Sequence, residues 1–168
     1  MVNPLRHVRA IAGAAAFLAA LTGCADHEAC AGVGVVSQVG VYFAHEGYGD
    51  LTGAFIQLCA QGKCAGHRLK NEGISEINLQ LPEDVGPDLG TVRLRVTPKG
   101  STKPMIDAST EKKLTFQSDN CDGGAYSGAL AYTKEKGLLP SVPKEIGKAW
   151  VQQRKAEATA VPTPTASS

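Results

Sequence analysis

Thr91-Val92-Arg93-Leu94-Arg95-Val96-Thr97 is the stretch that decides the fold. Val92, Leu94 and Val96 alternate with Thr91, Arg93, Arg95 and Thr97, the period of a strand with one face in a core and the other in water. Pro98-Lys99-Gly100 then supplies a turn. A chain built of such strands needs a second apolar sheet face to cover the first.

Upstream, Ile77, Leu79 and Leu81 alternate with Glu76, Asn78 and Gln80 until Pro82 stops the run. Residues 55–59 and 65–69 have strand character on either side of Gln61-Gly62, which reads as a hairpin tip. A first strand is expected through Val33, Val35, Val39, Val41 and Phe43. Gly32, Gly34 and Gly40 weaken it and suggest an edge or a bulge. Downstream, Leu114 and Phe116 mark another strand, and Tyr126, Gly128, Leu130 and Tyr132 share one face of a last one.

About seven short strands separated by turn signals predict an antiparallel Ig-like β-sandwich, with a small β-barrel as the alternative. The alternation argues against a buried parallel sheet, and no intervening run is long enough for crossover helices. The expected domain spans residues 33–139. Beyond it, residues 144–158 are weakly helical with a narrow stripe of Ile146, Trp150 and Val151, and the Pro, Thr, Ala and Ser of residues 160–168 predict disorder.

The N-terminus carries a different signal. Arg6, His7 and Arg9 precede an apolar run from Ile11 to Leu21, the layout of a secretory signal peptide. About a dozen apolar residues fall short of the roughly 20 that span a bilayer core. The run ends in Leu21-Thr22-Gly23-Cys24, which resembles the lipobox of bacterial lipoproteins. That resemblance implies cleavage before Cys24, attachment of diacylglycerol to its thiol with palmitate as an acyl chain of the anchor, and anchoring at the extracytoplasmic face of the cell membrane. Residues 1–23 are then the lipoprotein signal peptide and residues 24–32 a tether. More than one acyl chain is needed for a stable anchor.

Removal of residues 1–23 takes away Arg6 and Arg9 and no acid. The formal charge of the 168-residue chain falls from +1 to −1, 15 basic residues against 16 acidic. A near-neutral chain gives no electrostatic case for nucleic acid as a partner.

Lipidation of Cys24 leaves Cys30, Cys59, Cys64 and Cys121, and an even number in an exported chain predicts two disulfides. A hairpin places Cys59 opposite Cys64, so Cys30 pairs with Cys121 by elimination. In the loop-entropy model the long bridge contributes about 4.6 kcal/mol and the short one about 2 kcal/mol. Zinc binding by Cys59 and Cys64 lacks a second close pair of ligands. A redox role lacks Cys-x-x-Cys.

Cys30, the Cys59–Cys64 hairpin, the strand at residues 92–97 and Asn120-Cys121 before a closing strand are together similar to a set of small actinobacterial exported and lipid-anchored proteins of uncharacterised function. The resemblance covers about residues 24–138. It implies a β-sandwich-like fold and no activity.

Candidate chemistry is thin. Asp26, His27, Glu28, His45 and Glu46 lack a regular metal-ligand spacing. Asp119-Asn120-Cys121-Asp122-Gly123 breaks the alternation of a calcium loop. No metal or cofactor is expected. His45, His67 and Ser127 supply parts of a hydrolase without a Gly-x-Ser-x-Gly elbow. Tyr42, Phe43, Tyr48 and Tyr126 are candidates for lining a ligand groove, Tyr48 and Tyr126 foremost, although aromatic strand residues more often serve packing. The expected function is a noncatalytic binding or cell-envelope interaction module with a wall or envelope-protein partner. The alternatives are a small envelope hydrolase and a structural accessory of a secreted complex.

Overall fold

The computed structural model describes residues 35–118 and 123–160. The expected signal segment (1–23) and tether (24–32), with Cys24 and Cys30, and Cys121 and residues 161–168 lie outside them.

Among the described residues nine strands form two sheets. The first sheet holds β4 (Ile74–Gln80), β1 (Gln38–Ala44), β8 (Gly124–Thr133) and β7 (Thr115–Ser118) in that order, with β9 (Gly137–Leu139) also on β8. The second holds β3 (Lys63–Arg68), β2 (Phe55–Ala60), β5 (Asp88–Thr97) and β6 (Ile106–Lys113). The two sheets are sandwich-like and stay separate, so the barrel alternative is set aside. One helix, α1 (Lys144–Thr159), follows.

β5 behaves as its sequence predicts. Val92, Leu94 and Val96 are fully buried, while Arg93 and Arg95 face water and grip Asp107 of β6 from the outer face. Val39, Val41 and Phe43 from β1, Ile56 and Leu58 from β2, Ile77 and Leu79 from β4, and Leu130 and Tyr132 from β8 complete the core. Each fully buried aliphatic side chain contributes about 1.5–3 kcal/mol relative to exposure.

The β2–β3 hairpin turns through Gln61 (φ 48°) and Gly62 (φ 74°), the pair of positive φ values that a two-residue hairpin turn requires. Its register sets Cys59 directly opposite Cys64, and the two are disulfide-bonded with Cα atoms 4.1 Å apart. Of the two expected bridges this one is seen. The other falls on Cys30 and Cys121, outside the described residues.

Four expectations change. β1 starts at Gln38, so Val35 precedes the strand and stands exposed. β1 is also a central strand rather than an edge, and at Gly40 the Asn78 side-chain oxygen of neighbouring β4 occupies the space that a Cβ would take. β1 and β8 pair in parallel, from Gln38↔Ser127 to Phe43↔Tyr132, inside an otherwise antiparallel fold. The long path through the second sheet supplies the connection that parallel pairing needs, so no crossover helix is required. Finally, the strand count exceeds seven, because β6 and β9 lie in segments whose sequence carries no strand period. β6 turns the small or polar Ala108 and Thr110 inward and therefore lacks an apolar alternation.

Candidate functional site

At the β4 edge of the first sheet, charged, aromatic and amide side chains from β3, β4 and α1 come together. In an antiparallel pair, alternate residues of the edge strand direct both backbone groups away from the sheet. Ile74 does so, and Gln153 of α1 meets it: the Ile74 N–H donates to Gln153 Oε1 at 2.9 Å and Gln153 Nε2 donates to the Ile74 carbonyl at 2.9 Å. The amide side chain thus makes the two bonds that another strand would make there.

α1 rests on the outer face of the same sheet. Its half-buried residues Ile146, Trp150 and Gln153 recur at helical spacing, and the Trp150 ring meets Tyr42 edge-on at 5.7 Å. The tyrosine hydroxyl's pKa is raised by burial and by nearby Glu76. Val151, expected in the same stripe, is instead exposed. The Arg154 guanidinium lies over the Trp150 ring at 5.4 Å and pairs with Glu157 at 2.6 Å.

Between α1, β4 and the end of β3 lies a cleft of about 470 Å³. Arg68, Lys70 and Arg154 bring positive charge to it, Glu72 and Glu76 negative charge, and Trp150 and His67 contribute rings. Glu72 accepts a hydrogen bond from Ser75, Glu76 one from Asn78 at 3.0 Å, and Arg68 donates to the Gly53 carbonyl at 2.9 Å.

The Ser75 hydroxyl also accepts from His45 Nε2 at 2.8 Å. Histidine, serine and a carboxylate therefore form one chain, but in the wrong order for a nucleophile, since the carboxylate sits on the hydroxyl instead of orienting the imidazole. Ser75 is fully buried. Burial lowers the His45 pKa, with Glu72 acting in the opposite direction. The arrangement fixes the entry to β4.

Tyr48, in the Gly-rich loop, packs against Phe43 and Tyr132, and its hydroxyl hydrogen-bonds that of Tyr132 at 3.0 Å. Burial foremost, then the neighbouring hydroxyl, raises its pKa. Lys134 caps the ring at 5.1 Å and reaches the Gly47 carbonyl. Tyr126 is half-buried at the other end of β8, edge-on to Phe116 at 5.3 Å. The two tyrosines serve different ends of the sandwich and do not share a groove. His67 lines the cleft, His45 belongs to the Ser75 chain, and Ser127 on β8 joins neither.

Among the described residues no group of three or more His, Cys, Asp or Glu is placed to hold a metal ion. No described helix is long and apolar enough to cross a membrane. Sequence reading missed Gln153, Glu72 and Ser75, whose partnerships span turns or distant elements and leave no periodic trace. No protein-family model matches the chain, and no curated protein or solved structure is detectably similar to it.

Proposed function

We propose that this chain is an extracytoplasmic binding module of the cell envelope that acts without catalysis. Lipid on Cys24 holds an Ig-like sandwich at the membrane, and a second disulfide, Cys30–Cys121, ties its two flanks. The anchor reading rests on Leu21-Thr22-Gly23-Cys24 and its apolar lead. The second bridge is supported by the parallel pairing of β1 and β8, which starts both strands at the same end of the sheet.

The observation that carries the binding reading is the cleft at the β4 edge. It combines an aromatic ring with charges of both signs on an accessible surface, which suits a polar partner of mixed charge. The hydrolase alternative draws less support, because among the described residues the one serine hydroxyl bonded to a histidine is Ser75, buried and already donating to Glu72.

Labelled fatty acid fed to producing cells tests the anchor: incorporation in the chain and none in Cys24→Ala is expected, and an unlabelled or freely secreted chain overturns it. Intact mass before and after reduction counts the bridges, with a gain of one hydrogen for each sulfur released. Proximity crosslinking from the cleft tests the binding role. Arg154→Cys carrying a photoreactive group is expected to capture an envelope component that the same probe at exposed Lys103 does not, and equal capture from both positions overturns the assignment.

A further inference from the structure

The backbone of β4 offers more than the rung that Gln153 covers. Leu81 N–H donates to the Ser37 carbonyl and His45 N–H to that of Gly73, so the odd-numbered residues point toward β1. Ile74, Glu76, Asn78 and Gln80 point away from the sheet. Gln153 satisfies Ile74, whereas β4 pairs with β1 and with no other described strand, leaving the rungs at Glu76, Asn78 and Gln80 open. Unpaired rungs on an edge are a template for another strand.

We propose that this edge docks a second copy of the same chain, β4 against β4, antiparallel about a two-fold axis through Asn78. An axis at Asn78 sets Asn78 against its own copy and Glu76 against Gln80 twice, so the three open rungs meet one another. The next position outward sets Ile74 against Pro82 of the copy. Proline has no N–H to give, and Ile74 needs none because Gln153 already serves it. An axis at Glu76 instead would oppose two carboxylates and demand the occupied rung.

Charge complements the register. Past Pro82 the chain turns, the Val85 N–H donating to the Pro82 carbonyl at 3.3 Å, so the copy presents its exposed Glu83 and Asp84 toward the mouth of the cleft, where Arg68 and Lys70 have no ion-pair partner among the described residues. The cleft then receives the acidic turn of the facing molecule, and α1 ends the pairing at a fixed point. This deepens the reading of the cleft as a binding surface by naming its occupant, and it does not depend on acylation of Cys24. The contact is small and belongs to the transient class, favoured when molecules share a surface.

Sedimentation equilibrium across a dilution series tests the register in the Cys24→Ala background, where association through lipid is removed and a failed anchor leaves the result unchanged. Reversible dimer formation is expected. Gln80→Lys, which faces Glu76 of the copy, should tighten the dimer about two- to tenfold, and Gln80→Glu should weaken it by a similar factor. Asn78→Pro, which removes an outward N–H and no bond within the sheet, should abolish it, as should Glu83→Lys with Asp84→Lys. Monomer at every concentration in both the unsubstituted chain and Gln80→Lys overturns the proposal. So does a shift of the same sign for Lys and Glu at position 80, the result expected if the edge belongs to a different partner.

Discussion

Lys112 stands in for a missing piece of strand beside Ala129. β7 covers the first part of the β8 flank and β9 the last, leaving a gap around Gly128 and Ala129. Lys112, on β6 of the opposite sheet, donates to the Ala129 carbonyl at 3.0 Å and to the Pro140 carbonyl at 2.7 Å. One ammonium joins the two sheets and the chain leaving β9. Burial lowers its pKa.

Lys112→Met keeps the aliphatic stem over Gly128 and removes both bonds. Loss of about 1–3 kcal/mol is expected, since hydrogen bonds to charged groups sit in that range and the two carbonyls lose a partner. Urea denaturation checks it through a lower midpoint at unchanged slope. A midpoint equal to the parent's would mean that water replaces the ammonium without cost.

His45 makes stability depend on pH in a definite direction. Its folded pKa lies below the unfolded value near 6.5, chiefly through burial, so above about pH 6.5 both states are neutral and the group contributes no difference. As pH falls below that value, the unfolded chain takes up a proton that the folded site resists, and stability declines until the lowered pKa is passed. Denaturation midpoints followed downward from about pH 7.5 should decline in the parent chain and show a flatter profile in His45→Gln. Equal profiles would remove His45 from the account.

The legible parts of this fold are those whose partners are repeated along one strand. β5 announces itself because each inward residue is aliphatic and each outward one is polar, and Cys59 finds Cys64 because a short hairpin leaves little choice. β6 is silent, since its outward Asp107 and Glu111 are chosen by Arg93 and Thr91 of β5 and its inward residues are small. The parallel seam between β1 and β8 joins residues far apart in sequence, so no local pattern encodes it. The same holds for the site: Trp150 was visible as an apolar helix position, but its contact with Tyr42 and the bond from Gln153 to Ile74 depend on how the helix lands.

Two glycines should respond to alanine in opposite ways. At Gly124, on β8, a Cβ would lie 2.6 Å from the Gln117 carbonyl oxygen and against the Phe116 ring, so Gly124→Ala forces the β7–β8 pair apart and costs about 1–3 kcal/mol. At Gly147, inside α1, a Cβ meets nothing, and Gly147→Ala should stabilise the helix by up to about 1 kcal/mol. Thermal melting of the two variants beside the parent reads both signs. Destabilisation by Gly147→Ala would mean that the helix packs more tightly on the sheet than its half-buried stripe suggests.

Gln153→Ala separates the role of the clamp from that of the helix. The substitution favours helix formation yet strips both bonds from Ile74, leaving that backbone pair to water. Because the Ile146 and Trp150 contacts alone are modest, α1 should detach locally while the sandwich keeps its core. Hydrogen exchange at the Ile74 amide should accelerate and the emission of Trp150, the single tryptophan of the chain, should shift toward that of a solvated ring. The amides of buried Val92 and Leu94 should exchange as before. Gln153→Glu sharpens the comparison, since a carboxylate still accepts from the Ile74 N–H but cannot donate to its carbonyl, and intermediate exchange is expected. If Trp150 emission and Ile74 exchange stay at parental values in both variants, the ring contacts hold the helix by themselves and the edge is guarded by packing rather than by the borrowed amide.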